Sequence, residues 1–376
     1  MRSNEPIDKH FFTSQKLRIT ILGLMVIAFL FGFADQIWDK NFERLHIFLF
    51  NLCAGGFVIV YHTENSDKPS TANYLFLFLS LLYAVTAFFH WYVPAALLSF
   101  TLGLLVESIR IRCFQLFPAD IFALRVSVVD KFHHASILCL SMSLFIATFV
   151  LLNGTVLHWI HNSNLTLDVF FLGYSFPVSL ITMSVMFSFV RQDIGFGPKL
   201  LKQLFFWLVN LGVIIFFLFI INEMKIAEII IASLLFLTVA ALFTFFLLWG
   251  IKVQQKLFLL SGMVFLLFTG ITGIQYIFLA AYPDTYAAWG KLLLSGHAYL
   301  ALYGWGLSGL LILIRWNDFP LKLNSWRVIL MHWVVIAVLA PLGKGHLGFA
   351  LAASVSFCLF LHFFFEETET VSLHMS

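Results

Sequence analysis

Charge is what this sequence has least of. Asp, Glu, Lys and Arg together make up 11% of the 376 residues, the formal net charge is +3, and no Lys/Arg-rich tract occurs. A nucleic-acid partner, which needs a dense basic surface, is therefore not expected. Cysteine is as scarce: Cys53, Cys113, Cys139 and Cys358 stand far apart with no Cys-x-x-Cys pair, which speaks against a disulfide framework and a thiolate metal site. Internal repeats, linkers and polar stretches long enough for a soluble domain are also missing, so residues 1–376 read as a single membrane-embedded domain.

What fills the chain instead is apolar surface. Hydrophobic residues account for 61% of it, Phe alone for 46 positions, and the mean hydropathy is +0.95. This composition predicts an all-α polytopic membrane protein, because in lipid each helix must satisfy its own backbone hydrogen bonds. Runs long enough to cross a bilayer fall at about 19–34, 46–61, 73–89, 92–108, 135–152, 166–189, 203–221, 226–248, 257–281, 292–314, 327–342 and 347–365, which makes twelve spans. The polar tail, 1–18, is followed by no small-residue cleavage site, so span 1 is expected to be a retained anchor. The longest internal connection, 109–134, mixes Ile121, Phe122, Leu124, Val126 and Val129 with charges and is expected to lie along the membrane interface.

The few basic residues carry the orientation. With the tail counted as side one, seventeen of the 22 Lys and Arg fall on that side of the twelve spans and five on the other. Positive charge is held back on the cytoplasmic face during insertion, which predicts an inner (cytoplasmic) membrane protein with both termini cytoplasmic. The lipid bilayer is its first partner.

Two stretches concentrate the polar chemistry. Ser295-Gly-His-Ala-Tyr-Leu-Ala-Leu-Tyr-Gly-Trp-Gly306 opens span 10 and puts His297 about a turn inside the membrane. An imidazole there is costly unless it is ligated, hydrogen-bonded or solvated. Glu43-Arg-Leu-His46 opens span 2 and leads into Asn51 and the Gly55-Gly56 pair, whose small size lets a helix or a flat ligand approach the backbone. Both spans run from outside to inside, so His46 and His297 can share a depth, as two axial ligands of one haem require. An interfacial histidine with ordinary helix packing explains the same residues without a cofactor.

Elsewhere the polar residues have plainer explanations. Glu107 and Arg110, three apart, are expected to pair. His133-His134, beside Asp130 and Lys131, falls on the cytoplasmic side, where a histidine is cheap. His158 and His161 would share a face if their loop were helical, Pro177 is expected to kink span 6, and Asn210 and Gln275 are isolated polar groups on spans 7 and 9.

Taken together, twelve spans, cytoplasmic termini, Arg44-Leu-His46 with its Gly-Gly, and Gly296-His-Ala-Tyr-Leu-Ala-Leu-Tyr-Gly304 resemble the catalytic subunit of the haem-copper oxidases, nearest to the nitric-oxide-reductase and cbb3-type branches. The resemblance covers the topology of the whole chain and about thirty residues of motif. It implies an oxidase-like helical bundle in which His46 ligates a haem and His297 matches the first of two span-10 ligands, with Tyr299 where the second histidine stands. The family binds copper through histidines on helices 6 and 7, and spans 6 and 7 of this chain contain none. Reduction of oxygen or nitric oxide at a binuclear centre is therefore not expected, and no copper is.

The resemblance thus implies a divergent oxidase-like protein with one b-type haem on His46 and His297, walled by Gly55, Gly56, Tyr299, Gly304 and Gly306. Electron transfer or redox or gas sensing would be its role, with a redox partner or other membrane subunits. A transporter or channel that has no redox cofactor is the alternative. An enzyme working at the cytoplasmic face through His133, His134 and Asp130 or Asp120 is a third reading, with no recognised spacing behind it.

Overall fold

The computed structural model describes residues 15–39, 42–66, 68–162, 164, 174–192, 195–316 and 319–363. The tail to residue 14, Lys40, residues 166–173 of the expected span 6, and the acidic positions Glu366, Glu367 and Glu369 lie outside the described residues.

Among the described residues there is no β-strand, and ten helices are apolar and long enough to cross a membrane. In chain order these are α1 (Leu17–Gln36), α2 (Arg44–Glu64), α3 (Thr71–Phe88), α4 (Tyr92–Cys113), α5 (Val128–Leu157), α7 (Phe196–Ile221), α8 (Lys225–Trp249), α9 (Gln254–Leu279), α10 (Pro283–Ile314) and α11 (Trp326–Gly343). Two shorter apolar helices, α6 (Phe176–Ser188) and α12 (Leu347–His362), stand where the sequence places spans 6 and 12. The chain is an all-helical, multi-pass membrane protein.

Local signals set the boundaries. Ser70, Ser127 and Ser325 start α3, α5 and α11 by accepting the backbone N–H of Asn73 (3.2 Å), Asp130 (3.1 Å) and Val328 (3.4 Å). Asn65 stops α2 by entering the left-handed region at φ 52°. Pro177 lies in the first α-helical turn of α6, directly after the π-helical Tyr174 and Ser175, and the residues before these, on which an expected kink of span 6 depends, lie outside the described residues. The expectation that His158 and His161 share a helical face is corrected: α5 ends there, and His158 takes φ 49°.

Burial separates centre from rim. In the most apolar window, 89% of α2 and 83% of α10 is enclosed by protein, against 28% for α7 and for α8, which face lipid. Both central helices carry a π-helical segment, Phe48–Gly56 in α2 and Leu300–Gly306 in α10, as do α5 at Asn153–Leu157 and α11 at Val334–Leu339. A π turn takes in an extra residue and re-aims the side chains beyond it. Phe29 of α1 stacks on Phe357 of α12 at 4.0 Å, joining the first helix to the last.

Glycine lets the central helices close up. A Cβ at Gly56 would run into Phe76, one at Gly304 into Phe265, and one at Gly309 into Thr182. After α4 ends, the short helix Ala119–Phe122 buries Ile121 and leaves Phe117 and Phe122 exposed. Over-packing one of these close contacts costs about 1–3 kcal/mol, so Gly304→Ala should lower the thermal midpoint of detergent-purified protein by several degrees. Gly296→Ala, with nothing within 4 Å, should leave it nearly unchanged in the same melt.

Candidate functional site

His46 lies at the head of α2, where an imidazole enclosed by apolar helices needs a partner. It finds one on α10: Nδ1 is 3.2 Å from the Tyr303 hydroxyl, and the rings of Tyr299 and Tyr303 each lie 6.0 Å from the imidazole. Tyr299 and Tyr303 are four residues apart and share one face of the helix. Phe29 and Phe50 close the other sides of Tyr303, at 4.9 and 4.6 Å between ring centres.

Tyr303 also reaches α11, another helix with a π segment. Its carbonyl accepts a hydrogen bond of 2.7 Å from Nε2 of His332 on α11, and His332 stacks on Phe360 of α12 at 4.6 Å. Donation from Nε2 leaves Nδ1 of His332 as a lone pair, and this buried atom has no hydrogen-bond partner among the described residues. Sequence reasoning left Tyr303 and His332 without a role. The available signal was the cost of a histidine inside a membrane span.

His297 faces elsewhere. Its Nδ1 donates to the Thr269 carbonyl of α9 at 3.0 Å and lies 3.4 Å from the Thr272 hydroxyl. Two residues along an α-helix is a turn of about 200°, so position 297 looks toward α9 when position 299 looks toward α2. The neighbours α2 and α10 are thus brought together, but through His46 and Tyr299, not through His46 and His297. Tyr299 is the position the oxidase resemblance gives to the second span-10 ligand.

Whether one haem fits between His46 and His297 follows from what surrounds them. The glycines expected to wall a porphyrin are already occupied: Val178 stands against Gly55 and Gly306, Phe76 against Gly56, and Phe265 against Gly304. With His46 packed by two tyrosines and His297 turned to α9, this packing does not accommodate a porphyrin between the two imidazoles. Among the described residues, no group of three or more His, Cys, Asp or Glu side chains is placed to hold a metal ion.

A second polar cluster lies where α4 and α5 meet. Arg110, 2% exposed, forks onto Glu107 at 2.9 Å through Nε and 2.5 Å through its second terminal nitrogen, the pairing expected from their spacing. Its remaining N–H groups go to the carbonyls of Gln115 and Leu116 and to Nε2 of His134 at 3.0 Å. His133 instead bonds the Thr63 hydroxyl at 2.9 Å. That hydroxyl gives its own hydrogen to the Ile59 carbonyl, so Nε2 of His133 is the donor. Asp130 accepts from Ser127. The adjacent histidines therefore serve different partners, and the arrangement fastens the end of α4 and the following turn to α5.

Comparison with known protein families, curated proteins and solved structures finds no match to this chain.

The Arg110 fork is fully used, which makes it a sensitive position. Arg110→Met leaves two carbonyls without this donor and Glu107, which is partly exposed, with only the Ser141 hydroxyl, and should cost about 1–3 kcal/mol. Arg110→Lys, which keeps the charge but not the planar fork, should recover only part of that. Unfolding followed by circular dichroism in detergent reads both.

Proposed function

We propose that the chain is a cytoplasmic-membrane protein of twelve crossings with both termini cytoplasmic and an oxidase-like helix arrangement. In this reading it binds or moves a ligand within the membrane and works without a redox cofactor. The observation that carries it is the contact of α2 with α10. The resemblance makes these two helices neighbours, and His46 meets Tyr299 and Tyr303 on the expected face. Tyrosine and phenylalanine rings take up the space a bis-histidine haem would need. The seventeen-to-five division of Lys and Arg supports the orientation, and α6 and α12 at spans 6 and 12 support the count. The absence of histidine from spans 6 and 7 argues against copper chemistry from the sequence itself.

One haem b on His46, serving electron transfer or redox or gas sensing, is the second reading. It is favoured by a single feature, that position 299 faces His46 as a second span-10 ligand would.

A reduced-minus-oxidised visible spectrum of protein purified from haem-replete cells separates the two. The expected result is no Soret or α band, with His46→Ala and His297→Ala indistinguishable from wild type. Bands present in wild type and lost in His46→Ala would overturn the cofactor-free reading. Loss in His297→Ala as well would show that the imidazoles can pair after rearrangement of α10.

A further inference from the structure

One cavity lies away from His46. It is a groove of about 890 Å³ between α9, α10 and α11, within the range of about 300–1,000 Å³ usual for small-molecule sites. Its walls are apolar, with Phe278, Leu292, Leu300 and Val338 among them, and no charged side chain lines it. It opens sideways to the lipid-facing surface, where Phe278, Trp289 and Val338 are 55%, 60% and 46% exposed. Two of its walls, Leu300 and Val338, belong to the π segments of α10 and α11.

Its polar groups are gathered in α9, one to two turns before that helix ends at Leu279. Gln275 lines the groove, is exposed, and makes no hydrogen bond among the described residues. A primary amide facing hydrocarbon without a partner is costly. One turn further in, the Thr272 hydroxyl donates to the carbonyls of Phe268 (2.9 Å) and Thr269 (3.0 Å), so only its lone pairs are left to a ligand. Together they offer a donor and acceptors to a group that both donates and accepts, which describes a hydroxyl. With no cation in the lining, a phosphate head would have nothing to neutralise it.

We propose that this groove binds one neutral lipid amphiphile, its hydrocarbon chain along α10 and α11 and its hydroxyl head on Gln275 and Thr272. A transmembrane helix of a partner subunit fits less well. At a diameter of about 10 Å, the groove holds about two helical turns, far short of the roughly 20 residues a crossing needs. The proposal deepens the ligand-binding reading above and rests on it for meaning, but not for geometry. A haem spectrum would overturn that reading and leave groove occupancy untouched, and an unoccupied groove would leave the spectrum as it is.

The test uses the full-length protein in nanodiscs of phosphatidylcholine, photolabelled with a monoacylglycerol whose acyl chain carries a diazirine, and mapped by peptide mass spectrometry. Labelling is expected to concentrate on residues 272–279, 289–300 and 337–342. Monooleoylglycerol should compete, and oleoyl phosphatidic acid should compete about tenfold less well. Ala337→Trp, filling the groove, and Gln275→Leu, removing the head contact, should each reduce labelling by about tenfold, with elution on gel filtration confirming that the variants fold. Should Ala337→Trp fail to fold, Val338→Trp at the lipid-facing edge takes its place. Labelling spread evenly over the lipid-facing helices, labelling indifferent to both substitutions, or equal competition by phosphatidic acid would each overturn the proposal.

Discussion

Tyr303 is held at both ends, and three helices depend on it. Its hydroxyl is bonded to His46 of α2 and its carbonyl to His332 of α11. In hydrocarbon there is no water to substitute for a lost partner, so these two bonds fix the rotation and depth of the helices that make them. The carbonyl that His332 bonds lies in the π-wound part of α10, Leu300–Gly306, and its second lone pair can take the imidazole donor. The shape of the centre is thus a property of the backbone as much as of the side chains. Around it the glycines admit Phe76, Phe265 and Thr182, so that what reads as a cradle for a flat ligand is filled by the protein's own packing.

The elements legible in the sequence are those governed by local chemistry. Apolar run length placed most helices within a few residues, because a hydrocarbon slab imposes one requirement on every segment, but α5, α7 and α10 begin well before their apolar runs at Val128, Phe196 and Pro283. Glu107 and Arg110 were legible as a pair because three residues along a helix bring two side chains together whatever the rest of the fold does.

The candidate site was legible only in part. That α2 and α10 meet could be expected from the resemblance, but which residue of α10 meets His46 depends on helix rotation, which pattern alone does not fix. His297 and Tyr299 differ by two positions and by most of half a turn, and the structure gives the contact to the tyrosine. His133 and His134 make the same point. Neighbours in sequence, they diverge by about 100° on α5 and bond Thr63 and Arg110 respectively. His332 was invisible as a partner because the atom it bonds is a carbonyl, and a carbonyl leaves no trace in a sequence.

Lys344, in the turn between α11 and α12, donates to the Gly32 carbonyl at 2.8 Å and stands 3.2 Å from the Asp35 carboxylate, while Gln36 reaches back to the Gly343 carbonyl. The ion pair joins residues 309 positions apart. A membrane chain enters the bilayer in order, so Asp35 after α1 must wait through the synthesis of the 309 positions that follow before its lysine arrives. This contact between the start of the chain and the turn before α12 can therefore form only after the helices between them have been made.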